Sequence, residues 1–131
     1  MDYRQRNLFK IREKDIQKGI CSYLHAKKCI TIDCDVMFAL SYMGKNQNLR
    51  FAFISEKKSK GWTKGQPDLI VITPSGKVIF AELKTNKGGV VSPEQKQFQK
   101  LCEEHNLNYT IWRSIDDCIE YMNNVTKNVI K

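Results

Sequence analysis

The chain has 131 residues, 41% of them hydrophobic and 27% charged, which is the size and composition of one globular domain. No run approaches the roughly 18 apolar residues of a membrane span, and the charged opening MDYRQRNLFKIREK lacks the apolar core of a secretory signal. The net charge of +8 favours polyanionic partners, and five cysteines without a CxxC pair argue against a disulfide scaffold and for free thiols in a reducing compartment.

In chain order, Ile16, Ile20, Tyr23 and Leu24 fall at helical spacing and predict an amphipathic helix over 10–27. Residues 30–37 alternate Ile30, Ile32, Cys34 and Val36 with Thr31, Asp33 and Asp35, which predicts a strand. GKNQN, 44–48, is a turn, and LRFAFI, 49–54, reads as a second strand. Residues 55–67, SEKKSKGWTKGQP, read as a basic loop. Two more strands follow, 68–73 and 77–84, then a connection over 85–91. Ser92-Pro93 opens a helix over 93–105, with serine as N-cap and proline in the first turn. A last strand, 109–113, and a helix, 115–123, complete an order of αββββαβα, a mixed sheet flanked by helices. A zinc site from His25, Cys29, Cys34 and His105 matches no usual ligand spacing, so ordinary packing is expected for these residues.

The positive charge is uneven. Residues 45–64 carry Lys45, Arg50, Lys57, Lys58, Lys60 and Lys64 against Glu56 alone, whereas residues 101–131 are net acidic. Lys57, Lys58, Lys60 and Lys64, with Trp62 among them, form a candidate phosphate-binding stretch with one aromatic for stacking. A solvated loop, with Trp62 plugged onto the sheet, is the simpler alternative.

The central stretch is GQPDLIVITPSGKVIFAELK, 65–84. Pro74-Ser75-Gly76 suits a three-residue hairpin loop, proline presetting the first turn angle and glycine taking the left-handed position. Thr73 then faces Lys77, and Asp68 falls opposite Glu82. Opposed residues share a face with Cβ atoms ~5 Å apart, and Lys84, two residues beyond Glu82, shares it too. The hairpin is apolar on both faces, so it is expected to be central and covered. Two carboxylates at the rim of such an interior need positive charge beside them. Lys84 alone would make a structural ion cluster; a divalent cation such as Mg²⁺, which takes one or two carboxylates plus water and phosphate oxygens, would make a reactive site. Asp33 and Asp35, distant in sequence from that pair, are expected on a solvated strand face.

Pro67-Asp68 followed by Glu82-Leu83-Lys84 resembles the PD-(D/E)xK nuclease signature. The surrounding GWTKGQPDLIVI, AELK and SPEQ, with an early E-x-x-I-Q at Glu13 to Gln17, resemble the VRR-NUC family of that superfamily over most of the chain. The resemblance implies a restriction-endonuclease-like α/β fold in a single domain, 1–131, of the stand-alone, phage-encoded type. It implies a metal-dependent endonuclease that hydrolyses phosphodiesters in branched or flapped DNA, as a Holliday junction resolvase does. Cofactors would be Mg²⁺ or Mn²⁺, the assembly a homodimer, and the location the cytoplasm of a bacterium or of a virus's host. Glu13, Asp68, Glu82, Lys84 and Gln95 match the family's catalytic positions. Asp68, Glu82 and the Leu83 backbone carbonyl would hold the metal, with Glu13 reaching it directly or through water. A sequence-specific restriction-type enzyme and an inactive nucleic-acid-binding module are the alternatives. For Glu13 and Gln95 there are also plain structural readings, an acid favoured near a helix N-terminus and the reciprocal bond of a Ser92-x-x-Gln95 capping box.

Overall fold

The computed structural model describes residues 3–36, 40, 42–84 and 90–129, with side chains for 15–36, 40, 42–84 and 90–125. Its elements run α1 (Tyr3–Ala26), β1 (Ile30–Asp33), α2 (Gln47–Ser59), β2 (Leu69–Ile72), β3 (Val78–Leu83), α3 (Pro93–Glu104), β4 (Asn108–Trp112) and α4 (Ile115–Val129). The four strands form one mixed sheet in the order β1-β2-β3-β4, antiparallel except for the parallel β3–β4 pair that α3 connects.

The predicted hairpin register is the observed one. Leu69 faces Ala81 and Ile72 faces Val78. Thr73 N–H donates to the Lys77 carbonyl at 2.9 Å, the Lys77 N–H donates back to Thr73 Oγ1 at 3.0 Å, and Gly76 takes φ +87°. The alternation sorts side chains by face. Leu69, Val71, Ile79, Ala81 and Leu83 point into a core closed by Ile20 and Leu24 of α1 and by Cys118, Met122 and Val125 of α4, with Trp112 between them. Burying each of the larger side chains contributes about 1.5–3 kcal/mol. The opposite face holds Ile70, Ile72, Val78 and Phe80, which are half-buried rather than fully covered as expected. There α3 lies over β3 and β4, with Phe98 6.0 Å from the Phe80 ring and 6.4 Å from that of Tyr109.

The chief departure from the sequence reading is LRFAFI. It lies in α2, not in a strand, so the order is αβαββαβα. Asn46 caps that helix, accepting from the Leu49 N–H at 3.1 Å. Lys57 and Lys58 stand in its last turn, where cations suit the helix dipole. Lys60 reaches back to Glu56 at 2.9 Å, a pair spaced for a helix. A short apolar run does not choose between helix and strand by itself; here the cap and the charged last turn chose. Residues 55–59 of the predicted loop belong to the same helix, which buries none of its residues.

Strand β1 is shorter than predicted. It turns Thr31 and Asp33 toward α1, where His25 Nε2 lies 2.7 Å from Thr31 Oγ1 and Gln17 Nε2 donates to Asp33 at 3.5 Å. Ile30 and Ile32 face the other way and stay exposed. The terminal helices are longer than their apolar patterns, because α1 begins at Tyr3 and α4 continues to Val129. Among the described residues no helix is long and apolar enough to cross a membrane.

Candidate active site

The site forms where β2 begins and β3 ends. Pro67 is buried, and Asp68 follows it at the foot of β2, its carbonyl accepting the Cys34 N–H at 2.8 Å. The Asp68 carboxylate crosses to the neighbouring strand, where Oδ2 accepts the Leu83 N–H at 2.9 Å. Glu82 is only 3% exposed. Its Oε1 accepts from Gln95 Nε2 at 2.7 Å and lies 3.6 Å from Lys84 Nζ. Its Oε2 is buried without a hydrogen-bond partner among the described residues. Asp68, Glu82, Lys84 and Gln95 therefore converge, as the hairpin register and the helix start at Ser92 require.

The electrostatics follow from burial and crowding. Burial, then the adjacent Asp68, push the Glu82 carboxyl up to about 8 against the opposing pull of Lys84. Burial also raises Asp68, opposed by the Leu83 N–H. In the metal-free protein the pair thus retains a proton near neutrality.

Gln95 serves two ends. Its Oε1 accepts the Ser92 N–H at 2.9 Å and its N–H donates to Ser92 Oγ at 3.2 Å, which is the capping box, while its Nε2 holds Glu82. The helix cap and the carboxylate contact use different atoms of one amide.

Glu13 lies in α1, one turn before Gln17; its side chain is outside the described residues. Leu83 ends β3 with its side chain in the core. Lys57 sits 5.6 Å over the Phe53 ring, Lys58 is in the last turn of α2, and Lys60 is its C-cap. Trp62 is half-buried, and its N–H donates to the Lys57 carbonyl at 2.9 Å. Lys64 reaches Glu94 at the start of α3 at 3.3 Å, so of the basic stretch it is the one tied to the element that carries Gln95.

Two features escaped the sequence reading. Asp35 is not remote, because β1 lies against β2 and the Asp35 charge contributes to raising Asp68. Gly65 was not singled out. At φ +90° it presses on the first turn of α3, where an added Cβ would lie 2.4 Å from the Glu94 carbonyl oxygen and 2.9 Å from the Gln95 nitrogen. The signal was present as a glycine three residues before the acid, but its meaning depends on a helix thirty residues downstream. Gly65→Ala is expected to destabilise the fold by roughly 2 kcal/mol or more, from positive φ plus overlap with backbone. A melting experiment on parent and variant measures it.

Whether the site suits a cation can be judged from its donors. Among the described residues no group of three or more His, Cys, Asp and Glu could hold a metal ion. Two carboxylates do adjoin, one with a buried oxygen lacking any donor, and hard oxygen donors of that number suit Mg²⁺ or Mn²⁺ completed by water and phosphate. The residues present fit such an ion.

A mixed sheet with a PD acid at the foot of one hairpin strand and an ExK pair at the end of the next has the layout of a PD-(D/E)xK nuclease. The VRR-NUC domain family model matches residues 11–116, and the chain belongs to that family of nucleases. A solved structure described as a VRR_NUC domain superposes with a TM-score of 0.61 at 18% identity, covering 85% of this chain and 94% of that one. Another, described as a VRR_NUC domain protein, reaches a TM-score of 0.47 at 21% identity over 54% of this chain and 60% of its own. No curated protein matches.

Proposed function

We propose that this VRR-NUC domain is a divalent-cation-dependent, structure-specific DNA endonuclease that hydrolyses phosphodiesters in branched DNA, with Holliday junctions the leading substrate. The observation that carries the reading is the convergence of Asp68, Glu82, Lys84 and Gln95 around a buried carboxylate pair that holds a proton where a cation would sit.

Asp68 and Glu82 would hold Mg²⁺ or Mn²⁺, with the Leu83 carbonyl and Glu13 as further oxygen donors. When bound, the ion polarises the phosphodiester and makes water a better nucleophile. Gln95 keeps Glu82 Oε1 in place. Lys84, 3.6 Å from the same oxygen, offers an ammonium to the negative charge that builds on the phosphate as water adds and one ester P–O bond breaks. Lys57, Lys58, Lys60 and Lys64 would take backbone phosphates, and Trp62 an unstacked base. Phosphate contacts carry no sequence information, so selectivity would come from DNA shape. A two-fold junction needs two symmetric cuts, so the working form would be a homodimer.

One assay tests the reading. A labelled four-way junction and a linear duplex of the same sequence are each incubated with Mg²⁺ or EDTA. Cleavage of the junction alone, lost in EDTA, is expected. Binding without cleavage would instead make the protein an inactive nucleic-acid-binding module, and a single cut in the duplex would make it a restriction-type enzyme.

A further inference from the structure

Glu82 Oε2 and the Tyr109 hydroxyl are buried beside the candidate site, and apart from the proton that Glu82 shares with Asp68 neither has a partner among the described residues. Leaving such an atom unsatisfied destabilises the fold. The two have opposite capacities, since a carboxylate oxygen accepts and a phenol donates. A third atom in the same condition, Trp112 Nε1, belongs to the opposite face, where Trp112 packs on Tyr121.

Topology brings the first two together. Strand β4 pairs with β3 in parallel, Phe80 against Tyr109 and Glu82 against Ile111, so Tyr109 shares the face of Glu82 one diagonal step away. Helix α3 roofs both, through Gln95 on Glu82 Oε1 and through Phe98 against the Tyr109 ring. Burial first, then the charges of Glu82, Cys102 and Asp68, raise the phenol well above its usual range, so it stays protonated and able to donate.

We infer that Tyr109 is a positioning residue for Glu82: its hydroxyl donates to Oε2 and, with Gln95 and Lys84 on Oε1, fixes the carboxylate that faces Asp68. The two atoms do not bond each other in the structure. The link closes by a small side-chain shift or through one interior water, which is how pairs of buried polar atoms are commonly satisfied. Oε2 keeps a second lone pair for an ion, and outer hydrogen bonds of this kind orient metal-binding carboxylates. The expected effect on cation affinity rests on the reading above; the link itself belongs to the metal-free protein.

Tyr109→Phe retains the ring and its contact with Phe98 and removes only the donor. Three measurements compare it with the parent. These are the tyrosine hydroxyl proton by NMR in metal-free protein, a crystal structure of the metal-free parent, and Mn²⁺ affinity by calorimetry. The parent is expected to show a slowly exchanging hydroxyl proton that the variant lacks, with the hydroxyl, or a water it holds, in hydrogen-bond range of Oε2. The variant should melt a few degrees below the parent, bind duplex DNA in EDTA like the parent, and bind Mn²⁺ about 10-fold more weakly. A freely exchanging hydroxyl with nothing joining it to Oε2 overturns the inference, and so does unchanged Mn²⁺ affinity. If the parent itself takes up no Mn²⁺, the cation reading fails, and the hydroxyl and crystallographic measurements decide the link by themselves.

Discussion

Glu82→Gln is expected to slow junction cleavage by about 10³-fold or more, as removal of a charge that acts at the reacting phosphate does, while leaving DNA affinity in EDTA unchanged. The substitution preserves shape. The amide oxygen can still accept from Gln95 Nε2, which now bonds Glu82 Oε1 at 2.7 Å, and the amide N–H can donate to the adjoining Asp68. What disappears is one of the two negative charges that would hold the cation. Lys84→Ala should produce a comparable loss by a different route. Its ammonium opposes the upward shift of both acids, so its removal leaves the pair more heavily protonated as well as withdrawing positive charge from the phosphate. A cleavage series at rising pH separates these effects, deprotonating the pair in Lys84→Ala without restoring the rate. Wild-type cleavage by either variant, measured on the same junction preparation, would remove these residues from the chemistry.

The central hairpin was legible in the sequence because local chemistry determines it. Pro74 and Gly76 dictate a short loop, the loop dictates the register, and the register sets Asp68 beside Glu82 whatever the rest of the chain does. Gln95 was legible for a similar reason, since Ser92-Pro93 fixes where the helix starts and so which residue occupies its third position. LRFAFI was misread because its apolar residues fit either period, and the deciding signals, Asn46 before it and the Glu56–Lys60 pair after it, lie outside the run. Gly65, Asp35 and Tyr109 acquire meaning only from long-range neighbours. Gly65 meets a helix start that lies beyond the next two strands. Asp35 nears Asp68 only because β1 takes the edge beside β2. Tyr109 opens the predicted last strand, and only the parallel β3–β4 pairing sets it diagonally beside Glu82.

Metal-free protein is expected to lose stability as pH rises from about 5 to 8, opposite to the usual behaviour of a salt-bridged carboxylate. The sign follows from Glu82. Its folded value of about 8 lies above the ordinary 4.5, so between those values the folded chain keeps a proton that the unfolded chain has released. Stability contributed by that proton is fully present below the ordinary value, falls through the window, and is gone above the folded value. Each unit of the rise corresponds to about 1.4 kcal/mol, so the window is worth several kcal/mol and a fall in Tm on the order of 10 °C. A bound cation takes the proton's place. Mn²⁺ at about 100 times its Kd at pH 8 adds roughly 2.7 kcal/mol to stability, and the same concentration should add less at pH 5.5, where Glu82 must first release its proton. Glu82→Gln removes one of the two titrating groups, so its metal-free melting temperature should fall less across the same range and exceed that of the parent at pH 8. Melting curves at a series of pH values, in EDTA and in Mn²⁺, measure all of this. A slope undiminished in Glu82→Gln would assign the proton to a group outside the pair and leave the carboxylates without the strain that a cation is argued to relieve.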